Sequence, residues 1–322
     1  MTQNAHIPVL YHEVMTLLQP RPDGRYLDGT VGAGGHTAGI LAASAPTGRV
    51  LAFDRDPEAI AFAQQQLASF GSRVLFINSS YADMGRLAPQ HGFDVVDGIL
   101  LDLGLSSRQL DNAARGFSFM REGPLDMRFD PTQGETAADL VNNLAETALA
   151  DLFYRYGELH NSRHLAKVIA AKRPFTTTTQ LAGVIAQQSR KRGRIHPATQ
   201  VFQALRIAVN RELEAVETGI LAAIDLLAPG GRLAVISFHS LEDRFVKQTF
   251  RQMSRTYEDA PELPTGRRPL QPTLQLITRK PIKAAAPEIA ANPRSRSARL
   301  RVAERLATSN PQPPTSDQRL SD

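Results

Sequence analysis

Four apolar runs separated by helical patterns fill roughly the first hundred residues, and they restrict the fold more than any other feature. Arg25-Tyr26-Leu27-Asp28, Arg49 to Asp54, Arg73 to Ile77 and Val95 to Leu103 each read as a strand. In the last of these, Ile99, Leu100 and Leu101 are apolar without alternation, which suits a strand covered on both faces. A helical pattern starts near Thr37, and another runs from Pro57 to about Phe70. The second opens with proline in its first turn, where the missing N–H is no loss. Strands that alternate with helices are joined by crossovers and lie parallel, with helices on both faces. The expected fold class is therefore α/β, a Rossmann-like, doubly wound, mainly parallel sheet.

The rhythm breaks after the fourth strand. Between about Gly116 and Leu227 no segment has convincing strand character. Thr136 to Tyr154 and Leu165 to Ala171 carry apolar residues at helical spacing. Thr179 reads as the cap of a helix running through Gln188, and a long helical stretch from Ala198 to Leu227 ends at Pro229-Gly230-Gly231, a strong stop. Strand character resumes from Arg232 to Phe238, followed by a helix over Leu241 to Met253 and late strands at Thr273–Arg279 and Ala298–Arg305. This pattern predicts a sheet domain over residues 1–115 and 216–307, interrupted by a helical insert over 116–215. The helix at the end of the insert can belong to either side. Residues 308–322 are polar, hold three prolines and are expected to be a disordered tail.

Composition narrows the function classes. The chain has no cysteine, which excludes disulfides, thiolate metal sites and cysteine nucleophiles. No apolar run approaches the ~18–20 residues needed to span a bilayer. The stretch MTQNAHIPVLYHEV lacks the basic start and apolar core of a secretory signal, so no membrane association and a cytoplasmic location are expected. Net charge is a modest +5, but it is clustered. Eight Lys or Arg lie between Arg279 and Arg305 against Glu288 and Glu304, and Arg190-Lys191-Arg192-Gly193-Arg194 forms a second knot. Clustered cations suit a polyanionic partner, because phosphate contacts release counterions. Solvated basic faces look the same in sequence, and charge alone leaves both readings open.

The turn Asp28-Gly29-Thr30-Val31-Gly32-Ala33-Gly34-Gly35-His36 follows the first strand. Glycines at the mouth of a parallel sheet let a ligand approach the backbone closely. Their spacing is not that of a dinucleotide-binding turn; an acidic residue followed by a glycine-rich loop is similar to the first motif of Rossmann-like methyltransferases. Asp54 ends the second strand, where a carboxylate can accept both hydroxyls of an adenosine ribose. Asp56, two residues on, is the alternative. Tyr81 follows the third strand, where it either offers a flat surface to an adenine or packs beneath its own loop. Asp102 ends the fourth strand in Asp-Leu-Gly-Leu, next to the glycine turn. Amino-group methyltransferases of DNA commonly carry two prolines and an aromatic after this acid, and here they are missing.

Six co-linear blocks then carry a resemblance to one family. They are DGTVGAGGH at 28–36, LDLGLSSRQL at 101–110, RGFSFMREGPLDM at 115–127, HPATQVFQALR at 196–206, APGGRLAVISFHSLEDR at 228–244 and NPRSRSARLR at 292–301. The chain resembles the ribosomal RNA small subunit methyltransferase H family, also called MraW, from about His6 to Arg305. The resemblance implies N4-methylation of a decoding-centre cytidine in 16S ribosomal RNA, with S-adenosylmethionine as the donor. It also implies cofactor contacts at Gly34, Gly35, His36, Asp54, Tyr81, Asp102 and Gln109, where Tyr81 replaces the family's frequent phenylalanine. The partner is 16S ribosomal RNA within the small ribosomal subunit, and a homodimer is left open.

Cytosine N4 is a poor nucleophile because its lone pair is delocalised into the ring. An acceptor aimed at the amine favours the pyramidal nitrogen that attacks, and the sulfonium methyl needs alignment rather than a metal. Asp102 is the candidate catalytic residue, either orienting the amine and taking its proton or serving only the cofactor. Phe238 is placed to stack on the target base. His239 either contacts RNA and relays a proton or is a helix-capping residue. The RNA-contact candidates are Arg190, Lys191, Arg192, Arg194, Phe238, His239, Arg294 and Arg296; Arg299 and Arg301 are shared with the family without an assigned role. Two rival readings use the same fold. A small-molecule methyltransferase predicts no salt-sensitive RNA binding, and a non-catalytic RNA-binding assembly factor predicts tolerance of changes at Asp54 and Asp102.

Overall fold

The computed structural model describes residues 8–188 and 196–307. Its sheet is built from β1 (Arg25–Asp28), β2 (Arg49–Asp54), β3 (Val74–Asn78), β4 (Val96–Asp102), β5 (Leu227–Ser237), β8 (Leu274–Leu276) and β9 (Arg299–Arg305). The order is β3-β2-β1-β4-β5-β9-β8. β1 to β5 pair in parallel, and β9 runs antiparallel to both β5 and β8. A small separate hairpin joins β6 (Tyr257–Asp259) to β7 (Arg267–Pro269). Strand order reverses between β1 and β4, the place where such sheets open a crevice. The parallel strands reach that edge with Asp28, Asp54, Asn78, Asp102 and Ser237 as their last residues.

Successive side chains of a strand point to opposite faces, and both faces are covered, which accounts for the unbroken apolar runs. Leu27, Leu51, Phe53, Ile99, Leu101 and Val235 are buried on one face against α4 (Met84–Gln90), α11 (Glu212–Leu226) and α12 (Ser240–Met253). Tyr26, Val50, Ala52, Leu100, Ala234 and Ile236 are buried on the other against α1 (Tyr11–Leu18), α2 (Gly35–Ala43) and α3 (Pro57–Gln66). The remaining α5 (Ser107–Asp111) and α13 (Ala286–Ala291) are short. No helix among the described residues is long and apolar enough to cross a membrane.

A third apolar core is separate from the sheet. It is enclosed by α6 (Ala137–Asn143), α7 (Glu146–Gly157), α8 (Ser162–Ala171), α9 (Thr178–Gln187) and α10 (Ala198–Asn210), with Phe153, Leu165, Ile169, Leu181 and Leu205 at its centre. The expected stretch from Thr136 to Tyr154 is two helices, the first capped by Thr136 and Asp139. The cap of α9 is Thr177 rather than Thr179, because Thr177 and Gln180 form the reciprocal capping box.

The long helix expected from Ala198 to Leu227 is broken at Arg211, whose φ is +50°. Just before it, the Asn210 side chain donates to the Met127 carbonyl and accepts from the Phe129 N–H, while its carbonyl takes Arg55 Nη1. Those bonds anchor the end of α10, and α11 turns away to bury Val216, Ile220 and Ile224 against the sheet. Pro229-Gly230-Gly231 is likewise not the helix stop. The helix ends at Leu226, and the three residues belong to an irregularity inside β5, where Val96 faces Leu227 but Gly98 faces Arg232. A Cβ on Gly231 would lie 2.9–3.2 Å from the carbonyls of Ala228, Val96 and Asp97, so only glycine fits that close approach. The expected late strand over Thr273–Arg279 shortens to Leu274–Leu276.

Candidate active site

The first wall of the crevice is the glycine turn after β1. Asp28 is buried and buckles that turn, accepting from the Thr30 N–H at 3.0 Å and from Thr37 Oγ1 at 2.6 Å. Burial raises its pKa, and the Thr37 and Thr30 bonds oppose the rise. Gly32 and Gly34 have φ of +49° and +84°, a region L-residues with side chains avoid. The Gly32 N–H donates to Asp54 Oδ2 at 2.9 Å, so the acid at the end of β2 holds the turn directly. A Cβ built on Gly32 would meet nothing nearer than the Thr30 carbonyl at 3.8 Å, which leaves that side of the turn open. Gly35 is closed on its far side, where a Cβ would lie 2.4 Å from Pro8.

Asp54 and Asp56 differ in their partners. Asp56 caps α3 through the Glu58 N–H at 3.0 Å and also accepts from Gln109 Nε2 at 2.9 Å and Arg115 Nη1 at 2.7 Å. It is a structural hub. Asp54 accepts only two backbone N–H groups, from Gly32 and Asp56. Burial pushes its carboxyl up to about 6 despite those bonds, and the neighbouring Asp56 and Asp28 charges add to the rise.

The second wall is the turn after β4. The Asp102 N–H donates to Thr30 Oγ1 at 2.7 Å, fastening this turn to the glycine turn. Among the described residues Asp102 Oδ1 is buried without a hydrogen-bond partner, and Oδ2 lies 3.8 Å from His36 Nε2. Burial pushes the Asp102 carboxyl up to about 8, with the negative charges of Asp28 and Glu242 behind it. Burial also pushes the His36 imidazole down to about 4, against a backbone interaction with Val9. The His36 ring stacks on Tyr11 with centroids 6.2 Å apart. Gly104, at φ +96°, lets the Phe238 ring come within 3.5 Å of where a Cβ would stand. Beyond it, Ser106 and Gln109 form a capping box at the start of α5. Leu103 belongs to the sheet core, whereas Leu105 and Leu110 pack on the helical core, so this one turn is anchored in both.

Gln109 is thus buried, with its amide used by Asp56 and by the Ser106 N–H. Tyr81 packs under its own loop and into the core. A Cβ on Gly219 would lie 2.4 Å from its ring, and one on Gly29 would lie 2.9 Å from its Cβ. Burial raises the Tyr81 hydroxyl pKa, followed by the Glu242 and Glu212 charges. His239 is the N-cap of α12, paired with Glu242 in a capping box. Its Nδ1 accepts from the Glu242 N–H at 3.4 Å and its Nε2 lies 3.1 Å from Glu242 Oε1. Capping is its structural role.

Sequence reading missed the buried network around that histidine. Glu242 Oε2 accepts from the N–H groups of Phe238 at 2.9 Å and His239 at 3.3 Å. Arg206 makes a two-pronged pair with Glu212, both contacts 2.8 Å. Glu212, His239 and Glu242 each bring a ligand-type atom within 4.8 Å of the others, and the Arg206 guanidinium already supplies the positive charge such a cluster needs. The visible signal was His-Ser-Leu-Glu, a capping-box spacing. Of the expected RNA-contact residues, Arg294 pairs with Asp111 on the surface and Arg296 is exposed on the adjoining turn. Arg299 and Arg301, to which no role was assigned, share Asp243. Arg190, Lys191, Arg192 and Arg194 lie outside the described residues. A cavity of about 300 Å³ lies beside α5, lined by Asp56, Glu58, Arg108, Gln109, Asn112 and Arg115 among others, and does not reach Asp102 or His36.

Comparison with known proteins adds a second kind of finding. The model of the MraW methylase family matches residues 3–306. A protein of Thermomicrobium roseum named ribosomal RNA small subunit methyltransferase H is 53% identical, covering 94% of this chain and 94% of its own length. One of the same name from Dehalococcoides mccartyi is 50% identical over 95% of this chain and 88% of its own. Among solved structures, an rRNA methylase from Streptococcus thermophilus aligns over 94% of this chain and 99% of its own at 11% identity and a TM-score of 0.43, too slight a likeness to carry an argument.

Proposed function

Since the chain belongs to the MraW methylase family, we propose that it transfers a methyl group from S-adenosylmethionine to N4 of a cytidine in the decoding centre of 16S ribosomal RNA. Methylation of small-subunit ribosomal RNA follows from the family and from the names its relatives carry. The finer claim, cytosine N4, is supported by one observation, the orphaned Asp102 oxygen at the switch point of the sheet. The division into a sheet domain and an RNA-recognising helical insert over about 116–215 belongs to this reading, as does a cytoplasmic location.

The residues fit the donor. The glycine turn presents open backbone at Gly32 and left-handed backbone at Gly34, and Asp54 closes it from β2. S-adenosylmethionine, when bound, supplies an already activated sulfonium methyl. The chain's own residues then have to place an amine in line with it and take up the proton released. Asp102 has the unsatisfied acceptor for that amine, and an unpaired buried acceptor gains more from a donor than one already bonded. Its raised pKa of about 8 keeps its affinity for a proton high near neutral pH. Phe238, held over Gly104 beside Asp102, offers a ring to the base. The target base has to leave its stack, at a cost of roughly a few kcal/mol.

The test is product analysis. Incubation with labelled S-adenosylmethionine and 30S subunits, followed by nucleoside mass analysis, is expected to place the label on N4 of a single cytidine. Label on ribose or on another base overturns the reading.

A further inference from the structure

Acidic residues are distributed unevenly along this chain. The whole sequence holds 37 basic and 32 acidic side chains. Residues 159–211 hold ten Lys or Arg and not one Asp or Glu. Taking those ten away leaves 27 basic against 32 acidic residues, so a chain of net charge +5 is a segment of +10 attached to a remainder of −5.

The structure sorts the described cations of this segment into two groups. Arg206 is buried with Glu212, Arg211 pairs with Glu214, and Arg173 donates to the carbonyls of Val141 and Leu144. These three hold the fold. Arg163, Lys167 and Lys172 are exposed, and among the described residues none of them has a carboxylate within salt-bridge range. On α8 the apolar side, Leu165, Ala166 and Ile169, is buried in the helical core, so Arg163, His164 and Lys167 project together from the opposite side, within about 100° of arc. Lys172 follows at the end of the helix. The contacts that anchor this face are neutral: Lys172 Nζ reaches Gln187 Oε1 at 3.2 Å, and His164 Nε2 meets Gln188 Oε1 at 3.3 Å.

The turn that leads into α8 is tied to the sheet domain. Glu158, at the end of α7 and only a short turn before α8, accepts from Arg244 Nη2 at 2.8 Å and from the Ser240 hydroxyl on α12. Ser240 is two residues from Phe238, so the corner that opens the basic face is tied to the element bearing the proposed base-stacking ring.

We infer that the exposed side of α8, with Arg163, His164, Lys167 and Lys172, is a docking surface for the phosphate backbone of the ribosomal RNA around the target nucleotide. The inference rests on the proposed RNA substrate and adds where that substrate is gripped. A cationic face whose Arg163, Lys167 and Lys172 have no carboxylate in salt-bridge range among the described residues attracts phosphates, and an acidic remainder repels them, so the charge separation orients the approach. Backbone contacts of this kind position the substrate and carry no sequence information.

The test is the salt dependence of binding to 16S ribosomal RNA and to 30S subunits. The triple variant Arg163→Gln/Lys167→Gln/Lys172→Gln is compared with a control lacking three equally exposed cations of the hairpin, Arg255→Gln/Arg267→Gln/Arg268→Gln. The α8 variant is expected to bind about 10- to 100-fold more weakly at moderate salt. Its slope of log affinity against log salt should be shallower by about 2 to 3, with affinity for S-adenosylmethionine unchanged. The control should keep at least two thirds of the wild-type slope. Equal loss in the two variants, or an unchanged slope in the α8 variant, overturns the surface. Should the triple variant fail to fold, Lys167→Gln alone is expected to lower the slope by about 1. A wild-type protein that binds RNA without salt dependence and methylates no RNA refutes the substrate reading itself. Loss of binding to vesicles containing phosphatidylserine, with RNA binding intact, assigns the face to a membrane surface instead.

Discussion

Asp102 at the end of β4 and Glu242 in the first turn of α12 are two carboxylates that their surroundings drive in opposite directions. Around Asp102, burial and the charges of Asp28 and Glu242 raise the pKa to about 8, and one oxygen has no partner. Around Glu242, burial would also raise it, but His239, Arg206 and the Phe238 N–H outweigh burial and hold it below the usual carboxylate range. The same chemical group keeps an open acceptor in one place, where its side chain is 25% exposed, and is engaged by the fold in the other, where 1% is exposed. What differs is whether positive partners were built around it.

That contrast is broken most directly by substitution. Asp102→Asn is expected to lower methyl transfer by about 100-fold or more, since general-base and orienting contributions are of that size. It should cost no stability in the ligand-free protein. Glu242→Gln should do the reverse and lose about 3 kcal/mol in denaturant unfolding, because a buried carboxylate that accepts from the Phe238 and His239 N–H groups beside Arg206 would be lost. Equal effects of the two substitutions on stability would erase the distinction. Gly34→Ala sharpens the claim about the first wall: a side chain at φ +84° and close to Leu67 should cost about 1–2 kcal/mol and weaken donor binding about tenfold in calorimetry.

A further way to sharpen the contrast is the pH dependence of stability. Asp102 keeps a proton in the folded state that the unfolded chain gives up near its ordinary value. Its contribution is therefore full at low pH and is lost as pH rises toward 8. Asp102→Asn should flatten that decline. His36, with its pKa lowered to about 4, works on the acid side, where stability falls as pH drops from about 6.5 toward 4. His36→Asn should flatten that limb in thermal melts across the range.

The parallel sheet was readable because its evidence is local. The runs at β1 to β4 and the positions of Asp28, Asp54 and Asp102 follow from apolar pattern and turn chemistry within a few residues. Other features depend on distant contacts. Arg211 breaks a pattern that reads as one helix because Asn210 is bonded to Met127 and Phe129, more than 80 residues earlier. Pro229-Gly230-Gly231 has the composition of a stop but lies in a strand, since its close neighbours are Val96 and Asp97. His239 and Asp56 carried spacing that fits a cap as well as a ligand, and only their partners decide. Arg206 and Glu212 gave no signal, because a buried ion pair looks in sequence like any two surface charges.

The central claim is that Asp102, whose Oδ1 has no partner among the described residues, must be ionised to take the amine's proton. The pH dependence of kcat/KM for S-adenosylmethionine, measured on 30S subunits, reports the ionisations of the free enzyme. The account predicts a rising limb with its midpoint near the Asp102 value of about 8, absent from the residual activity of Asp102→Asn. The same limb in both proteins would contradict it.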